Sequence, residues 1–387
     1  MGSQKAERLL ALPPYLFAEI DRKKKLAIEA GRDIINLGVG DPDQPTPAFI
    51  VDELARAARD AKNHQYSFDN GLPAFRLAVV RWYKRRFSVE LDPEREVWPL
   101  IGSKEGIGHF PLAILNPGDL ALVPEPGYPP YRSGSVFAGA EVVPMPLRRE
   151  NGFLPDLEAI NGRTLKRARL MFLNYPNNPT AALATLDFYR NVVEFAKAND
   201  VAVASDAAYT EIYFGKPPIS FLQVEGAKQV GIEFHSLSKT FNMTGWRIGF
   251  AAGNADQITA LGQLKSNLDS GIFQAIQHAG VAALDSEPEL REGLLRMYRR
   301  RRDILVEGLN RLGWGVPLPQ ATFYVWIPVP RGYTSTQLCE VLLDRTDIVT
   351  TPGIGFGPSG EGYIRAALTV EESRLQEAVD RIQGLKL

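Results

Sequence analysis

The central part of the chain, from residue 95 to residue 255, alternates short apolar segments with amphipathic ones. In the amphipathic segments the apolar residues recur at helical spacing, as in LDFYRNVVEFAKAND (186–200). Seven further segments have the apolar character of buried strands: VWPLIG (97–102), LALVPE (120–125), AEVVPM (140–145), RLMFLN (169–174), VAVASD (201–206), IEFHSL (232–237) and RIGFAAG (247–253). This alternation predicts an α/β fold in which helices cover a parallel or mostly parallel sheet.

The C-terminal part of the chain has a different pattern. Residues 267–310 have the spacing of long helices, and two strand-like segments follow, TFYVWIPV (322–329) and YIRAAL (363–368). An amphipathic helix is predicted over 370–383, and an N-terminal helix over 15–30 is expected to pack on this region. We therefore predict a large domain over 45–285 and a discontinuous, smaller α+β domain made of 1–44 and 286–387, since 387 residues exceed what one hydrophobic core usually supports.

Composition and charge narrow the functional classes. Lys and Arg number 44 against 45 Asp and Glu, and the basic runs 22–25 and 299–302 fall at helical spacing, so we expect no nucleic-acid partner. The single cysteine, Cys339, excludes an internal disulfide and a cysteine-based metal cluster, and no metal site is predicted. No segment has the length of a membrane span or the pattern of a signal peptide, so we expect a cytoplasmic protein without a membrane partner.

Polar residues follow the predicted strands at the points where ligands gather in such sheets. Ser103 and Lys104 begin a helical segment, Tyr128 follows the second strand, and Asn178 lies in the turn YPNNPT. Asp206 ends a strand with Tyr209 just after it, and the stretch SLSKTFNMTGWR holds Ser236, Ser238, Lys239 and Arg247. Singly, each has an ordinary interpretation: a helix cap for Ser103 or Ser238, core packing for Tyr128, and a plain turn for Asn178.

Together these residues fit one small molecule. A helix start with serines and an arginine suits a phosphate, a buried carboxylate needs a cation, and a lysine can bind an aldehyde as a Schiff base. Amide and phenol groups can hydrogen-bond a phenolic oxygen. Pyridoxal 5′-phosphate (PLP) has the phosphate, the ring nitrogen, the phenolic oxygen and the aldehyde that these groups require.

The set Asn178, Asp206, Tyr209, Lys239 and Arg247 resembles, in order and spacing, the fold-type I PLP-dependent aminotransferases. Three further segments are similar to this family: LGVGDPDQPTP (37–47), HQYSFDNGLPAFR (64–76) and GEGYIRAAL (360–368). The resemblance covers most of the chain. It implies a large domain with a mostly parallel seven-stranded sheet between helices, and a homodimer with shared active sites.

By this resemblance Lys239 is the Schiff-base lysine and proton shuttle, and Asp206 pairs with the pyridine nitrogen. The other cofactor contacts that it implies are the stacking ring of Tyr128, the phenolic-oxygen partners Asn178 and Tyr209, the phosphate ligands Ser103, Lys104, Ser236, Ser238 and Arg247, and Tyr66 from the neighbouring subunit. Arg365 is expected to bind the substrate α-carboxylate, with the Gly38 backbone beside it and Asn178 nearby.

The sequence departs from the family pattern in two places. Ala181 stands where the family has glycine after Asn-Pro-Thr, so we expect a positive φ to be disfavoured and the local turn to differ. Phe68-Asp69-Asn70 replaces a proline-containing segment near the cleft. Separately, Gly355–Gly360 matches G-x-G-x-x-G formally, but it leads into a strand and not a helix. We therefore reject a dinucleotide site there and interpret the segment as a flexible loop near the substrate entrance.

The resemblance implies a ping-pong transamination between an amino acid and a 2-oxo acid, with 2-oxoglutarate as the acceptor. The segments GSKEGIGH (102–109) and KSNLDSGIFQAIQ (265–277) resemble the LL-diaminopimelate aminotransferase branch, which belongs to lysine biosynthesis. In that branch Tyr15, Lys104 and Asn267 would also contact substrate. Aspartate, methionine, aromatic amino acids and N-succinyl-diaminopimelate remain alternatives, as does a PLP-dependent lyase reaction. A ligand-sensing regulator is disfavoured, because the resemblance begins by residue 15 and leaves no room for a DNA-binding module.

Overall fold

A computed structural model describes residues 5–12, 16–67, 70–288 and 290–385. The helices are α1 (Glu7–Leu10), α2 (Leu16–Glu29), α3 (Ala48–Ala58), α4 (Pro73–Phe87), α5 (Ser103–Ile114), α6 (Pro129–Phe137), α7 (Gly162–Leu165), α8 (Leu186–Asn199), α9 (Ala227–Val230), α10 (Leu237–Thr240), α11 (Ala255–Ser266), α12 (Gln274–Leu284), α13 (Leu290–Arg311), α14 (Ser335–Thr346) and α15 (Glu372–Gln383). The strands are β1 (Ile35–Asn36), β2 (Val97–Leu100), β3 (Leu120–Glu125), β4 (Glu141–Pro146), β5 (Ala168–Asn174), β6 (Ala202–Asp206), β7 (Gly231–Ser236), β8 (Gly249–Gly253), β9 (Tyr324–Pro328), β10 (Ile348–Val349), β11 (Thr351–Pro352) and β12 (Tyr363–Ala367).

A seven-stranded sheet lies at the centre of the larger part of the molecule, in the order β2-β8-β7-β6-β5-β3-β4. Strand β8 runs antiparallel to both its neighbours, and the remaining pairs are parallel. All seven predicted strands are present, and the prediction of a mostly parallel sheet is confirmed.

Burial on both faces explains why the sequence of these strands is so apolar. Every residue of β5 except Arg169 is buried, because helices cover both sides of the sheet.

Helix α8 shows how the sequence sets the start and end of a covering helix. The Thr185 hydroxyl accepts a hydrogen bond from the Phe188 backbone N–H at 3.1 Å and caps its first turn. The helix ends before Asp200, whose φ of 54° lies in the left-handed region.

A second, smaller core forms around the three-stranded sheet β11-β12-β9 and the short pair β1-β10. Helices α13, α14 and α15 contribute to it, and the ion pair of Lys23 with Glu340, 3.0 Å between Nζ and Oε1, links α2 to α14. The helix predicted from residue 267 is wrong at its start, since residues 267–273 are a connection and α12 begins at Gln274. The domain limits at residues 45 and 285 stay a prediction.

The register of the large sheet brings the predicted site together. Asn174 pairs with Asp206 across β5 and β6, and Ser236 pairs with Gly249 across β7 and β8. The carboxyl ends of the parallel strands β5, β6 and β7 therefore lie at one edge of the sheet, together with the amino end of the antiparallel β8.

Candidate active site

Lys239 lies in α10, one turn beyond the end of β7, and its side chain is half-buried. Its Nζ donates a hydrogen bond to the Gly40 carbonyl oxygen at 2.9 Å. Burial lowers the pKa of Lys239 from 10.5 to about 8; the charge of Asp41 opposes this, and the charges of Arg247 and Arg365 add to it. The amine is therefore much easier to deprotonate near neutral pH than an ordinary lysine, as a nucleophile or general base requires.

Asp206 is buried at the end of β6. The Tyr131 hydroxyl donates to its Oδ2 at 2.7 Å, and the Ala208 backbone N–H donates to its Oδ1 at 3.2 Å. Burial nevertheless raises the pKa of Asp206 from 3.8 to about 6, against these two hydrogen bonds. A buried carboxylate with a raised pKa gains from a cation placed against it, such as a protonated ring nitrogen.

Asn178 is held in its turn by Asn174. The Asn174 side chain accepts from the Asn178 backbone N–H at 2.7 Å and donates to the Asp206 carbonyl oxygen at 2.9 Å. One amide thus fixes the turn of Asn178 against the strand end that carries Asp206. The Asn178 Oδ1 accepts from Arg365, which directs its amide N–H groups away from that guanidinium.

Arg365, on β12, is the largest fully buried side chain among the described residues. Its two terminal nitrogens donate to Asn178 Oδ1 at 2.9 Å and to the Gly38 carbonyl oxygen at 2.7 Å. The guanidinium carbon lies 4.2 Å from the ring centre of Tyr324 and 4.8 Å from that of Phe356. Two aromatic rings therefore hold a planar, charged donor that matches a carboxylate.

Tyr209 follows β6 and is also buried. Its hydroxyl oxygen lies 3.1 Å from that of Tyr324. Burial raises the pKa of the Tyr209 hydroxyl well above 10, so this group is a protonated hydrogen-bond donor at neutral pH.

The start of α5 and the stretch around Lys239 form a cradle for an anion. Arg247 donates to the Thr244 carbonyl oxygen at 2.7 Å and lies 3.4 Å from the Ser238 hydroxyl, while the Ser236 hydroxyl accepts from the Ser238 N–H. Gly102, at φ +75°, directly precedes Ser103, the first residue of α5, and a Cβ there would lie 2.2 Å from an Arg247 nitrogen. Only glycine lets the arginine lie against the start of this helix.

The donors at this edge of the sheet fit PLP at each of its functional groups. The cradle offers hydroxyls, a guanidinium and free N–H groups of a helix start to a phosphate. Asp206 offers a carboxylate to a ring nitrogen, Lys239 an amine to an aldehyde, and Asn178 and Tyr209 donors to a phenolic oxygen. Tyr128 lies beside Tyr131, the partner of Asp206, with ring centres 5.7 Å apart.

Some predicted residues are outside this cluster. Tyr66 is 84 % exposed, and its side chain makes no hydrogen bond within the described part of the chain. Asn267 is exposed at the end of α11, where its amide donates to the Gln263 carbonyl oxygen at 2.8 Å. Lys104, by contrast, lies at the cradle, in the first turn of α5, with its side chain exposed. Tyr15 and Phe68-Asp69 lie outside the described residues, so the structure says nothing of the roles predicted for them.

Three residues of the site were missed by the sequence reasoning. They are Tyr131, which donates to Asp206, Asn174, which fixes the Asn178 turn, and Tyr324, which contacts both Tyr209 and Arg365. Asn174 ends a predicted strand, as Asp206 does, and that position could have drawn notice to it. Tyr131 and Tyr324 lie within a helix and a strand, where an aromatic residue has the pattern of ordinary core.

Two expectations about loops are wrong. Ala181 has φ +61°, so the turn keeps the left-handed conformation despite its Cβ, and the Ala181 N–H still bonds the Asn177 carbonyl oxygen at 2.9 Å. The segment Gly355–Gly360 is docked and not free. The Ser359 hydroxyl donates to Glu125 Oε1 at 2.7 Å, and a Cβ on Gly357 would lie 2.4 Å from the Glu125 side chain.

The chain matches the family model of aminotransferase class I and II over residues 32–382. It is 57 % identical to the LL-diaminopimelate aminotransferase of Syntrophobacter fumaroxidans, with all of both chains covered. It is 54 % identical to the enzyme of the same name from Aquifex aeolicus, with 99 % of each covered.

Solved structures of similar shape support the same grouping. Substrate-bound BacF from Bacillus subtilis superposes with a TM-score of 0.97 at 42 % identity, covering 100 % of this chain and 99 % of that one. An aspartate aminotransferase double mutant from Thermus thermophilus superposes with a TM-score of 0.92 at 28 % identity, covering 99 % of each. In the described part of the chain, no helix is both long and apolar enough to cross a membrane.

Proposed function

The chain belongs to aminotransferase class I and II, and on that premise we propose that it moves an amino group between LL-diaminopimelate and 2-oxoglutarate. The substrate is proposed from relatives named LL-diaminopimelate aminotransferase, which share 51–57 % identity with nearly the whole chain. The structural neighbour described as a probable N-succinyldiaminopimelate aminotransferase is 34 % identical, and the aspartate aminotransferase 28 %. The greater similarity supports LL-diaminopimelate over those substrates.

Enzymes of this family use PLP, which supplies an aldehyde that takes up the amino group and a ring that accepts electrons from the substrate Cα. We assign Asp206 to its ring nitrogen and Tyr128 to the face of its ring. Asn178 and Tyr209 are assigned to its phenolic oxygen. The phosphate ligands are Ser103, Lys104, Ser236, Ser238 and Arg247. This assignment is supported by the donor chemistry of the cluster and by the burial of Asp206.

Lys239 is proposed as the residue that both attaches to the cofactor and moves the proton. Its Nζ takes the proton from the substrate Cα, and the pKa of about 8 is low enough for the free amine to act as a base near neutral pH. The hydrogen bond to the Gly40 carbonyl oxygen holds this nitrogen in one position while it is unattached. Because proton transfer requires this geometry, Lys239 is the one catalytic residue of the proposal.

Arg365 is proposed to bind the α-carboxylate that both substrates share. Its guanidinium is already oriented by Gly38, Asn178 and the rings of Tyr324 and Phe356. A preorganised guanidinium loses little conformational entropy when the carboxylate binds. One arginine therefore serves the amino acid and the 2-oxo acid in turn, as a ping-pong reaction requires.

We further propose a homodimer in which Tyr66 reaches the phosphate in the partner's site, with Tyr15 and Asn267 as further substrate contacts. The support is the exposure of Tyr66 and of Phe273, which lie near each other: Gln274, next to Phe273, donates to the Tyr66 carbonyl oxygen at 3.4 Å, and the ring centres of Phe273 and His64 are 6.2 Å apart. Large exposed apolar side chains that lie together are typical of an interface.

A cytoplasmic location is also proposed, and it agrees with the free thiol of Cys339. The domain limits proposed are 45–285, and 1–44 with 286–387.

One observation carries the transaminase proposal: hydrogen bonds through Asn174 and Asn178 join the buried Asp206, whose pKa is raised, to the buried Arg365. Lys239, half-buried and with a lowered pKa, lies just beyond the end of the neighbouring strand β7. Borohydride reduction of the PLP-loaded protein tests the role of Lys239. We expect the cofactor to become fixed to the wild-type chain and to be lost on denaturation from Lys239→Ala. Cofactor fixed to the Lys239→Ala chain would contradict the assignment. Lys265→Ala, which removes a lysine that is more buried than Lys239, is the control and should keep the fixed cofactor.

A further inference from the structure

Tyr324 contacts two residues of the site, Tyr209 and Arg365. It is on β9 of the three-stranded sheet and is 3 % exposed, whereas Tyr209 follows β6 of the seven-stranded sheet. The two hydroxyl oxygens are 3.1 Å apart. A hydrogen bond between Tyr324 and Tyr209 thus joins the two parts of the molecule. Tyr209 is one of the two residues proposed to bind the phenolic oxygen of PLP.

The Tyr324 hydroxyl is held by its surroundings. The Arg365 guanidinium carbon lies 4.2 Å from the centre of the ring. Against the hydroxyl lies Gly40, where an added Cβ would be 2.0 Å from the phenolic oxygen. The same Gly40 accepts the hydrogen bond of Lys239. Tyr324 therefore has a fixed position: it contacts Tyr209 and Arg365 directly, and it lies against the glycine that binds Lys239.

The direction of the hydrogen bond follows from the role proposed for Tyr209. Either hydroxyl can donate while the two are alone. Once the Tyr209 O–H donates to the phenolic oxygen of PLP, its only proton is used, and its oxygen can accept. Tyr324 must then be the donor. A hydroxyl that accepts a hydrogen bond becomes a stronger donor itself, because chains of hydrogen bonds polarise one another.

We propose that Tyr324 is a positioning residue that strengthens the hydrogen bond from Tyr209 to the phenolic oxygen of the cofactor, an inference that rests on the proposed function. A stronger donor stabilises negative charge on that oxygen, and it thereby lowers the proton affinity of the Lys239 nitrogen attached nearby. Other charged or titratable groups also act on Lys239 and Tyr209. They are Asp41, Arg247 and Arg365 for Lys239, and Arg365 and Tyr128 for Tyr209. All four remain in a Tyr324 variant.

The substitution Tyr324→Phe keeps the ring over Arg365 and removes only the hydroxyl. In the PLP-loaded enzyme we expect the pH midpoint of the cofactor absorbance to rise by about 0.5–1 unit. Tyr209→Phe should raise the midpoint at least as much, and the double variant should add little to it, since both act through one hydrogen bond. Tyr298→Phe is the matched control. Tyr298 is fully buried, and its ring centre lies 5.4 Å from that of Phe323. Its hydroxyl has no hydrogen-bond partner among the described residues.

The outcomes separate this inference from the proposed function. A wild-type protein that takes up no PLP would overturn both. A wild-type enzyme that transaminates normally, with an unchanged midpoint in Tyr324→Phe or shifts that add fully to those of Tyr209→Phe, would overturn the Tyr324 proposal alone. If Tyr324→Phe does not fold while Tyr298→Phe does, the hydroxyl serves the fold and the proposal is also wrong.

Discussion

At the scale of single residues, Lys239 and Asp206 have pKa values shifted toward neutrality by the same cause. Burial lowers the pKa of the lysine to about 8 and raises that of the aspartate to about 6. Each charged form is disfavoured in the protein alone, and each would be relieved by a bound group of the right chemistry. These residues therefore reduce the stability of the apoprotein in favour of ligand binding.

Asp206→Asn should raise the stability of the apoprotein and lower its affinity for PLP. Between the unfolded pKa of 3.8 and the folded pKa of about 6, the folded wild-type apoprotein holds a proton that the unfolded chain has released. Its stability therefore falls as pH rises through that window, and asparagine removes the dependence. As the pH rises from about 4.5 to about 7.5, the free energy of unfolding of the variant should increase by about 2 kcal/mol relative to that of the wild type, as measured by urea unfolding. Its affinity for PLP should fall at the same time.

Glu233→Gln provides a contrast, because the buried Glu233 has more hydrogen-bonding partners than Asp206. They are Tyr83, Ser220, the Phe221 N–H and His235, against Tyr131 and the Ala208 N–H for Asp206. We expect this variant to be less stable than wild type at neutral pH. A loss of apoprotein stability in Asp206→Asn that does not change with pH would contradict the account.

The sequence pattern placed Asp206 at the end of one strand and Lys239 just beyond another, and the structure has both there, while their roles stay predictions. It did not predict their partners. Tyr131 is 75 residues from Asp206, and Tyr324 is 115 residues from Tyr209. Contacts over such separations are decided by how helices and sheets pack, and the local pattern around each tyrosine is that of ordinary core.

At the scale of elements, strands buried on both faces were the most predictable part of the fold. Their apolar runs appear directly in the sequence, and all seven are present in the large sheet. The two-residue strands β1, β10 and β11 are too short to produce any periodic pattern. Turns were predicted less well, because a turn fixed by tertiary contacts can override the preference of one residue, as Ala181 shows.

Ala181→Gly should stabilise the protein. Alanine at φ +61° bears a steric cost that glycine does not, and this cost exceeds the extra entropy that glycine loses on folding. We expect the free energy of unfolding to rise by about 0.5–1 kcal/mol, with transaminase activity kept. Ala184→Gly is the control, because Ala184 is outside the left-handed region and glycine there should destabilise the protein. Equal destabilisation by the two substitutions would show that the Ala181 turn is not strained.

At the scale of the whole molecule, the site lies where the three-stranded sheet meets the seven-stranded sheet. Arg365 and Tyr324 come from the three-stranded sheet, while Asn178 and Tyr209 follow strands of the large sheet. Ser359 bonds Glu125 at the end of β3, which adds a further contact between the two parts. A carboxylate bound to Arg365 would therefore contact both parts of the molecule, which ties substrate binding to their relative position.

A shared site between two subunits would appear on mixing two defective variants. Tyr66→Ala should bind PLP about tenfold more weakly, since a charge-assisted hydrogen bond to phosphate is lost, and Lys239→Ala should be inactive. A hybrid dimer has one site with both wild-type residues. Subunits exchanged at limiting PLP should give more activity than either variant treated alone. No gain, in a mixture shown to contain hybrid dimers, would mean that Tyr66 does not serve the partner's site.

The central claim is most directly tested by a single half-reaction. PLP-loaded enzyme is mixed with LL-diaminopimelate in the absence of any 2-oxo acid, and cofactor absorbance, 2-oxo product and ammonia are followed together. We predict that the absorbance of the bound cofactor is lost with stoichiometric 2-oxo product and no ammonia, and that 2-oxoglutarate then restores it. Ammonia release would instead indicate a lyase. Conversion by aspartate or an aromatic amino acid, but not by LL-diaminopimelate, would contradict the proposed substrate.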